Sequence, residues 1–184
     1  MYELPNELCG LKIRTDYRVV LDIITALNDS ELSEFEKAFV TVQILYENWE
    51  EIEDLEEAMK QAYWFINVGE INISELPKPK IMDWDHDFKI IVASINRVIG
   101  QEVRAMEYLH WWTFMSAYYE IGEGVFSHII NIRSKKQKGK QLEQYEKEFY
   151  AENKTLVDLK TKYSIEEQEE IDRLEKLLGG NQYG

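Results

Sequence analysis

The sequence predicts an all-α protein: a single compact multi-helix domain with a C-terminal helical extension, and a short extended segment or hairpin at the N-terminus. Three observations carry that expectation. Apolar residues recur at three- and four-residue steps through most of the chain. Ser, Thr and Asp residues open those runs and glycines close them, as helix ends require. All three prolines, Pro5, Pro77 and Pro79, lie between the periodic runs.

Leu8, Leu11 and Ile13 around Gly10 make the extended segment or hairpin. From Thr15, an expected N-cap, Tyr17, Val20, Leu21, Ile24 and Leu27 follow a helical stripe that ends at Asn28 and Asp29. Ser33 and Glu36 form a capping-box pair ahead of the stripe Phe35, Phe39, Val42 and Leu45. A third helix turns Leu55, Met59, Ala62 and Ile66 inward and stops at Gly69. A linker at about 69–82, fixed by Pro77 and Pro79, leads to a helix opened by aspartates. That helix puts Phe88, Ile91, Val92, Ile95, Val98 and Ile99 on one face and ends at Gly100. The run at 102–122 is apolar almost all round, the pattern of a helix packed on several sides. A short helix through Phe126, Ile129 and Ile130 leads into the basic stretch 133–140, read as a loop or the charged start of the next helix. Leu142, Tyr145, Phe149, Leu156, Leu159 and Tyr163 then form a heptad-like seam on one long helix, interrupted by Glu152. Ser164 and Glu167 cap a last helix with the stripe Ile171, Leu174 and Leu178. Residues 1–133 are thus expected as the helical core domain, and 134–184 as the basic stretch plus C-terminal extension.

The net charge of −14 opposes non-specific adhesion to nucleic acid or anionic membrane. Charge is unevenly spread. Residues 31–75 carry 12 carboxylates against Lys37 and Lys60, whereas residues 133–147 carry six Lys/Arg against Glu143 and Glu146. That polarity suits docking of an oppositely charged partner or a second copy of the chain. Cys9 is the only cysteine, which excludes an intramolecular disulfide and a multi-cysteine zinc site. The N-terminal run lacks the basic start and apolar stretch of a signal peptide, and no run approaches a spanning helix. A cytoplasmic protein without membrane contact is the expectation.

Candidate chemistry is sparse. Asp83, Asp85 and Asp87 have the one-three-five spacing of a calcium loop. Phe88 stands where the turn needs Gly and Ser94 where a bidentate Glu is needed, so helix capping explains them better. His86, His110 and His128 never pair at zinc-helix spacing. Glu107 lies one helical turn before His110, half of a catalytic relay without a nucleophile, so a satisfied, partly buried histidine is preferred. Cys9 has no basic neighbour to activate it, and the glycines at 122–124 read as a helix–helix turn. No catalytic residue, metal ligand or cofactor-binding residue is assigned. Arg133, Lys135, Lys136, Lys138 and Lys140, with Tyr145 and Phe149, are the candidate partner-binding residues. Nucleic acid is the weaker partner for them, since no aromatic is interleaved among the cations.

The run "LHWWTF" contributes Leu109, His110, Trp111, Trp112 and Phe114. On a helix Trp111 and Trp112 point about 100° apart. They are expected to pack between neighbouring helices on both sides, each indole N–H seeking an acceptor. Three blocks, "GLKIRTDYRVVLDII" (10–24), "DWDHDFKIIVASI" with "LHWWTF" (83–114) and "FSHIINIRSKKQKGK" (126–140), keep their order and resemble the gene-product-fifteen family of phages and prophages of Gram-positive hosts. The chain departs from that pattern at Ile99–Glu102, and the resemblance brings no catalytic residues. It implies a gene in the tail-morphogenesis cluster just before the tape-measure gene. The expected function is therefore a non-enzymatic tail assembly chaperone for the tape-measure protein, in the cytoplasm of the bacterial host. The alternatives are a connector retained in the virion, which virion mass spectrometry would detect, and a nucleic-acid-binding accessory protein using residues 133–140. A homo-oligomer is a further open possibility.

Overall fold

The structure is a computed structural model that describes residues 3–70 and 80–159, together with residues 170, 173 and 174. The chain opens with a hairpin, β1 (Glu7–Leu8) and β2 (Leu11–Lys12), in antiparallel register with Leu8 opposite Leu11. Cys9 and Gly10 make the two-residue turn, both with positive φ (51° and 74°), the geometry that matches strand twist in a tight hairpin. The next residues are pinned to the end of helix α2 (Glu34–Leu45): the Arg14 amide donates to Leu45 O and the Glu47 amide to Lys12 O. The Arg14 guanidinium also donates to the carbonyls of Gln43, Ile44 and Tyr46. It thereby brings a cation to a helix C-terminus whose own last turn has none.

Helices α1 (Tyr17–Leu27), α2 and α3 (Leu55–Ile66) form where expected. On α1, however, Ile23 joins Tyr17 and Val20 in the core, while Leu21, Ile24 and Leu27 of the expected stripe are only half-buried. Asp16 rather than Thr15 caps α1, because the Thr15 hydroxyl is taken by the Tyr108 hydroxyl at 2.7 Å. The Ser33–Glu36 capping box forms on α2 as expected. The α2 stripe divides, however: Val42 and Leu45 are buried, while Phe35 is 69% and Phe39 37% exposed. On α3, Phe65 joins Met59 and Ala62 in the core, and Gly69 adopts φ 86°, donating its amide to Trp64 O beyond the helix end. Thr41 on α2 is fully buried, and among the buried side-chain nitrogen and oxygen atoms of the described residues its hydroxyl alone lacks a hydrogen-bond partner. Thr41→Val keeps the shape and removes that orphan, so it is expected to raise stability by about 1 kcal/mol, read as a higher urea midpoint.

Helix α4 (Trp84–Ile99) is capped by Asp83 and closed by Gly100 at φ 82°. Ile91, Val92 and Ile95 are buried as expected, but Val98 is 40% exposed. The expected helix through 102–122 is broken. A 3₁₀ turn (Val103–Ala105) and an extended run precede α5, which covers only Trp111–Tyr119. The reason lies in where the backbone groups of 103–111 find partners. The Val103 amide donates to Asn96 Oδ1, the Leu109 amide to Asp16 Oδ2 and the Trp111 amide to Thr15 O. Tertiary partners replace those a helix would supply.

Helix α6 (Val125–Gln137) runs through the expected domain boundary at 133/134. The basic stretch divides: residues 133–137 end α6, where cations complement the helix dipole, and only residues 138–140 form the expected loop, turning at Gly139 with φ 62°. The expected long seam helix is instead two, α7 (Gln144–Glu152) and α8 (Lys154–Val157). Asn153 separates them. Its side-chain amide and backbone N–H both donate to Phe149 O, the local competition that makes Asn a helix breaker. The α7–α8 pair folds back on α6, where Ile129, Ile132 and Val157 form a small second core with Phe149 and Leu156 beside it. Tyr145 of the seam is 59% exposed. The prolines of the expected linker, Tyr163 and the last expected helix lie outside the described residues, apart from Glu170, Arg173 and Leu174, which are exposed.

Candidate partner-binding surface

Two helices leave an open groove on the surface. Ala38 of α2 faces Leu55, Met59, Tyr63 and Trp64 of α3 across a cleft of about 730 Å³, with exposed Glu56 and Glu70 beside it. Lys60 also borders the cleft, but its ammonium is held by Glu57 at 3.2 Å. Phe35 stands one turn before Ala38 on the same face of α2 and stacks on Phe39 with ring centres 6.3 Å apart. Phe39 in turn meets Trp49 edge to face at 5.3 Å. An apolar strip rich in aromatic rings is therefore left in water, which is uncommon unless something docks there.

The C-terminal end of α3 is held from the other side by the tryptophan pair. Trp111 Nε1 donates to Ile66 O and Trp112 Nε1 to Phe65 O, both at 2.9 Å. Both carbonyls lie in the last turn of the helix, where intrahelical donors run out, although Phe65 O also takes the Val68 amide. Trp111 is buried against Trp84 and Phe114, while Trp112 is half-buried against Trp64 and Phe65. Each indole found an acceptor, as expected, and both lie on the same helix end. Gly69 passes over Trp112, whose ring edge would lie 3.4 Å from an added Cβ.

His110 is the N-cap of α5. Its Nδ1 accepts the Trp112 amide at 3.0 Å, and its Nε2 faces Pro5 O at 3.0 Å and so carries the hydrogen. Glu107 is exposed on the extended run, so the helical Glu107–His110 spacing does not exist. His86 Nε2 meets Leu156 O, and His128 lies between Tyr145 and Phe149. Among the described residues no group of three or more His, Cys, Asp or Glu side chains is placed to hold a metal ion. Among them, too, no helix is long and apolar enough to cross a membrane.

The aspartate run serves structure in two ways. Asp83 accepts the His86 amide as the α4 cap. Asp87, fully buried, accepts two hydrogen bonds from the Arg133 guanidinium at 2.6 and 2.8 Å. Arg133 donates further to the carbonyls of Ile81, Leu156 and Val157, so all five of its N–H groups are used. Lys135 is bound to the buried carboxylate of Glu146, and Lys136 to Asp158 with its ammonium 3.8 Å over the Tyr150 ring. Of the expected partner-binding cations, Arg133, Lys135 and Lys136 are thus paired within the chain, although Lys136 stays exposed, as do Lys138 and Lys140. Phe149 is half-buried against His128, and Tyr145 remains on the surface. Burial works to raise the pKa of Glu146, but the Lys135 ammonium and the Glu143 amide outweigh it and hold the carboxyl below its ordinary value. A carboxylate lowered on folding stabilises above its ordinary pKa, and the contribution disappears as the pH falls through the lowered value. Acid titration followed by NMR is expected to loosen the α6–α7 contact in that window, and Glu146→Gln to abolish the acid step.

A family model described as bacteriophage Gp15 protein matches residues 6–159. The chain belongs to the bacteriophage Gp15 family. Membership points to a phage structural or morphogenesis protein. No curated protein and no solved structure matches the chain. The three sequence blocks that carry the family resemblance are also the three that the fold ties together. Asp16 and Thr15 of the first bond Leu109 and Tyr108 of the second, and Arg18 donates to the Met106 carbonyl just before "LHWWTF" at 2.6 Å. Arg133 of the third closes on Asp87 of the second. The signature residues are therefore internal fasteners, and the open α2–α3 groove lies outside them.

Sequence reasoning missed that groove and the Arg133 clasp. A signal for the clasp existed: Asp87 is one turn before Ile91 on the buried face of α4, and Arg133 one turn after Ile129 on that of α6. A charge on an apolar stripe asks for a partner. The groove gave no comparable signal, because Phe35 and Phe39 have the spacing of core residues.

Proposed function

We propose that this Gp15-family chain is a tail assembly chaperone of the phage, acting in the host cytoplasm to hold the tape-measure protein soluble until tail-tube protein polymerises around it. The observation that supports this reading is the water-exposed aromatic strip and groove of α2 and α3 on a strongly acidic surface. A tape-measure helix exposes long apolar stripes, and a partner that covers them while adding like charge keeps the complex dispersed. The acidic surface supplies that charge, and the fastened signature blocks keep the groove helices in place.

Co-expression of the chain with the tape-measure protein of the same phage tests the reading. The tape measure is expected in the soluble fraction and in the pull-down only when the chain is present, and the chain is expected to be absent from purified virions. A tape measure that stays soluble alone and does not co-purify refutes the chaperone. A fixed copy number in virions would instead make the chain a connector.

A further inference from the structure

We infer that the α2–α3 groove seats one amphipathic helix of the partner whose apolar stripe is flanked by Lys and Arg. The inference deepens the chaperone reading and rests on it for the partner's role. Its chemistry comes from the groove itself.

The shape is that of a missing bundle helix. Leu55, Met59 and Tyr63 follow one another at four-residue spacing along α3, and Asn67 continues the line. From Leu55 to Asn67 the wall is about 18 Å long at the helical rise per residue, room for roughly three turns of a docked helix. Ala38 keeps the α2 wall low, so a helix can enter between the two ridges, the geometry of ridge-into-groove packing. Phe35 and Tyr63 offer exposed rings, the kind of side chain that carries most interface energy.

The charge selects the occupant. Residues 31–70 carry 11 carboxylates and only Lys37 and Lys60, a net of −9. Both lysines are already bound, Lys37 to Glu34 and Lys60 to Glu57. An acidic helix would meet like charge at Glu56 and Glu70 and in the field of the surrounding segment, and a neutral one would leave that field unanswered. The chain itself is a poor source of the occupant. Residues 160–184 hold four Lys/Arg against six Asp/Glu, and Arg133, Lys135 and Lys136 are consumed by internal pairs.

The test uses the full chain and three synthetic 18-residue peptides labelled with fluorescein. One has a leucine stripe at helical spacing with lysines flanking it. The second has Glu in place of every Lys, and the third has the first peptide's composition scrambled so that no stripe remains. Fluorescence anisotropy at physiological salt is expected to show the first binding at least tenfold more tightly than either other. Tyr63→Ala is expected to weaken it about tenfold, whereas Tyr145→Ala, on α7 and more exposed than Tyr63, leaves it unchanged. Photo-crosslinking from the leucine stripe on the unaltered chain, which needs no variant to fold, is expected to label residue 38 and residues within 55–70. Equal binding of the three peptides, equal binding by both tyrosine variants, or cross-links elsewhere overturns the inference. If the tape measure co-purifies equally with the Tyr63→Ala chain, the groove assignment fails and the chaperone stands. If the lysine peptide binds in the groove but no tape measure co-purifies, the chaperone fails and the groove assignment stands.

Discussion

Arg133→Met is expected to cost about 3–5 kcal/mol, because it leaves the fully buried Asp87 carboxylate without its partner. The substitution also strips donors from the carbonyls of Ile81, Leu156 and Val157, three points at which the chain around α8 and the segment before α4 are held to α6. Urea unfolding should show the loss as a lower midpoint. Adding Asp87→Leu to Arg133→Met is expected to recover much of it, since an apolar pair of similar volume replaces a desolvated charge. Arg133→Lys is not expected to rescue: an ammonium has three donors and no planar fork, and five acceptor contacts are to be met. If all three variants unfold at the wild-type midpoint, the clasp does not hold the two cores together.

Trp111→Ala is the second large effect, at about 3–5 kcal/mol. Its side chain is 1% exposed and touches both Trp84 and Phe114, so truncation leaves a cavity that fixed neighbours cannot fill. The indole N–H adds a separable part. Trp111→Phe keeps most of the apolar volume but leaves Ile66 O without its donor, a further loss of about 1 kcal/mol. Trp112→Phe should be milder, because Trp112 is half-buried and Phe65 O also accepts the Val68 amide. Thermal and urea unfolding of the four single variants of these two residues, each to Ala and to Phe, would rank them. A ranking with Trp112→Ala worst would contradict the burial order.

The helices that were legible share one trait: their apolar period agrees with their caps. Ser33 and Glu36, Asp83, Gly69 and Gly100 mark ends that the fold keeps. Residues 103–111 misled because an apolar run with no capping signal inside it reads as continuous helix, whereas the Val103 amide is taken by nearby Asn96 and those of Leu109 and Trp111 by Asp16 and Thr15, far off in sequence. The seam at 142–163 misled for a related reason, since its period is helical but Asn153 diverts the backbone. The basic stretch was visible as charge, yet charge alone does not say whether its counter-ion is internal or a partner's. Glu146 and Asp158, which answer that, are buried or half-buried only in the folded chain. The surface groove was illegible, because spacing cannot tell a ring that is covered from one that overhangs the end of its neighbour.

The bonds between residues 15–18 and 103–111 have a bearing on how the polypeptide is born. The Thr15–Tyr108 contact joins positions 93 apart in sequence. At ribosomal speeds of 5–20 residues per second, that interval corresponds to about 5–20 s of elongation. Throughout it, the start of the first helix has no acceptor or donor from its eventual mate, and the two early helices beside it must wait with their rings in solvent. Final locking of the amino-terminal third therefore waits until the segment around Tyr108 has been made.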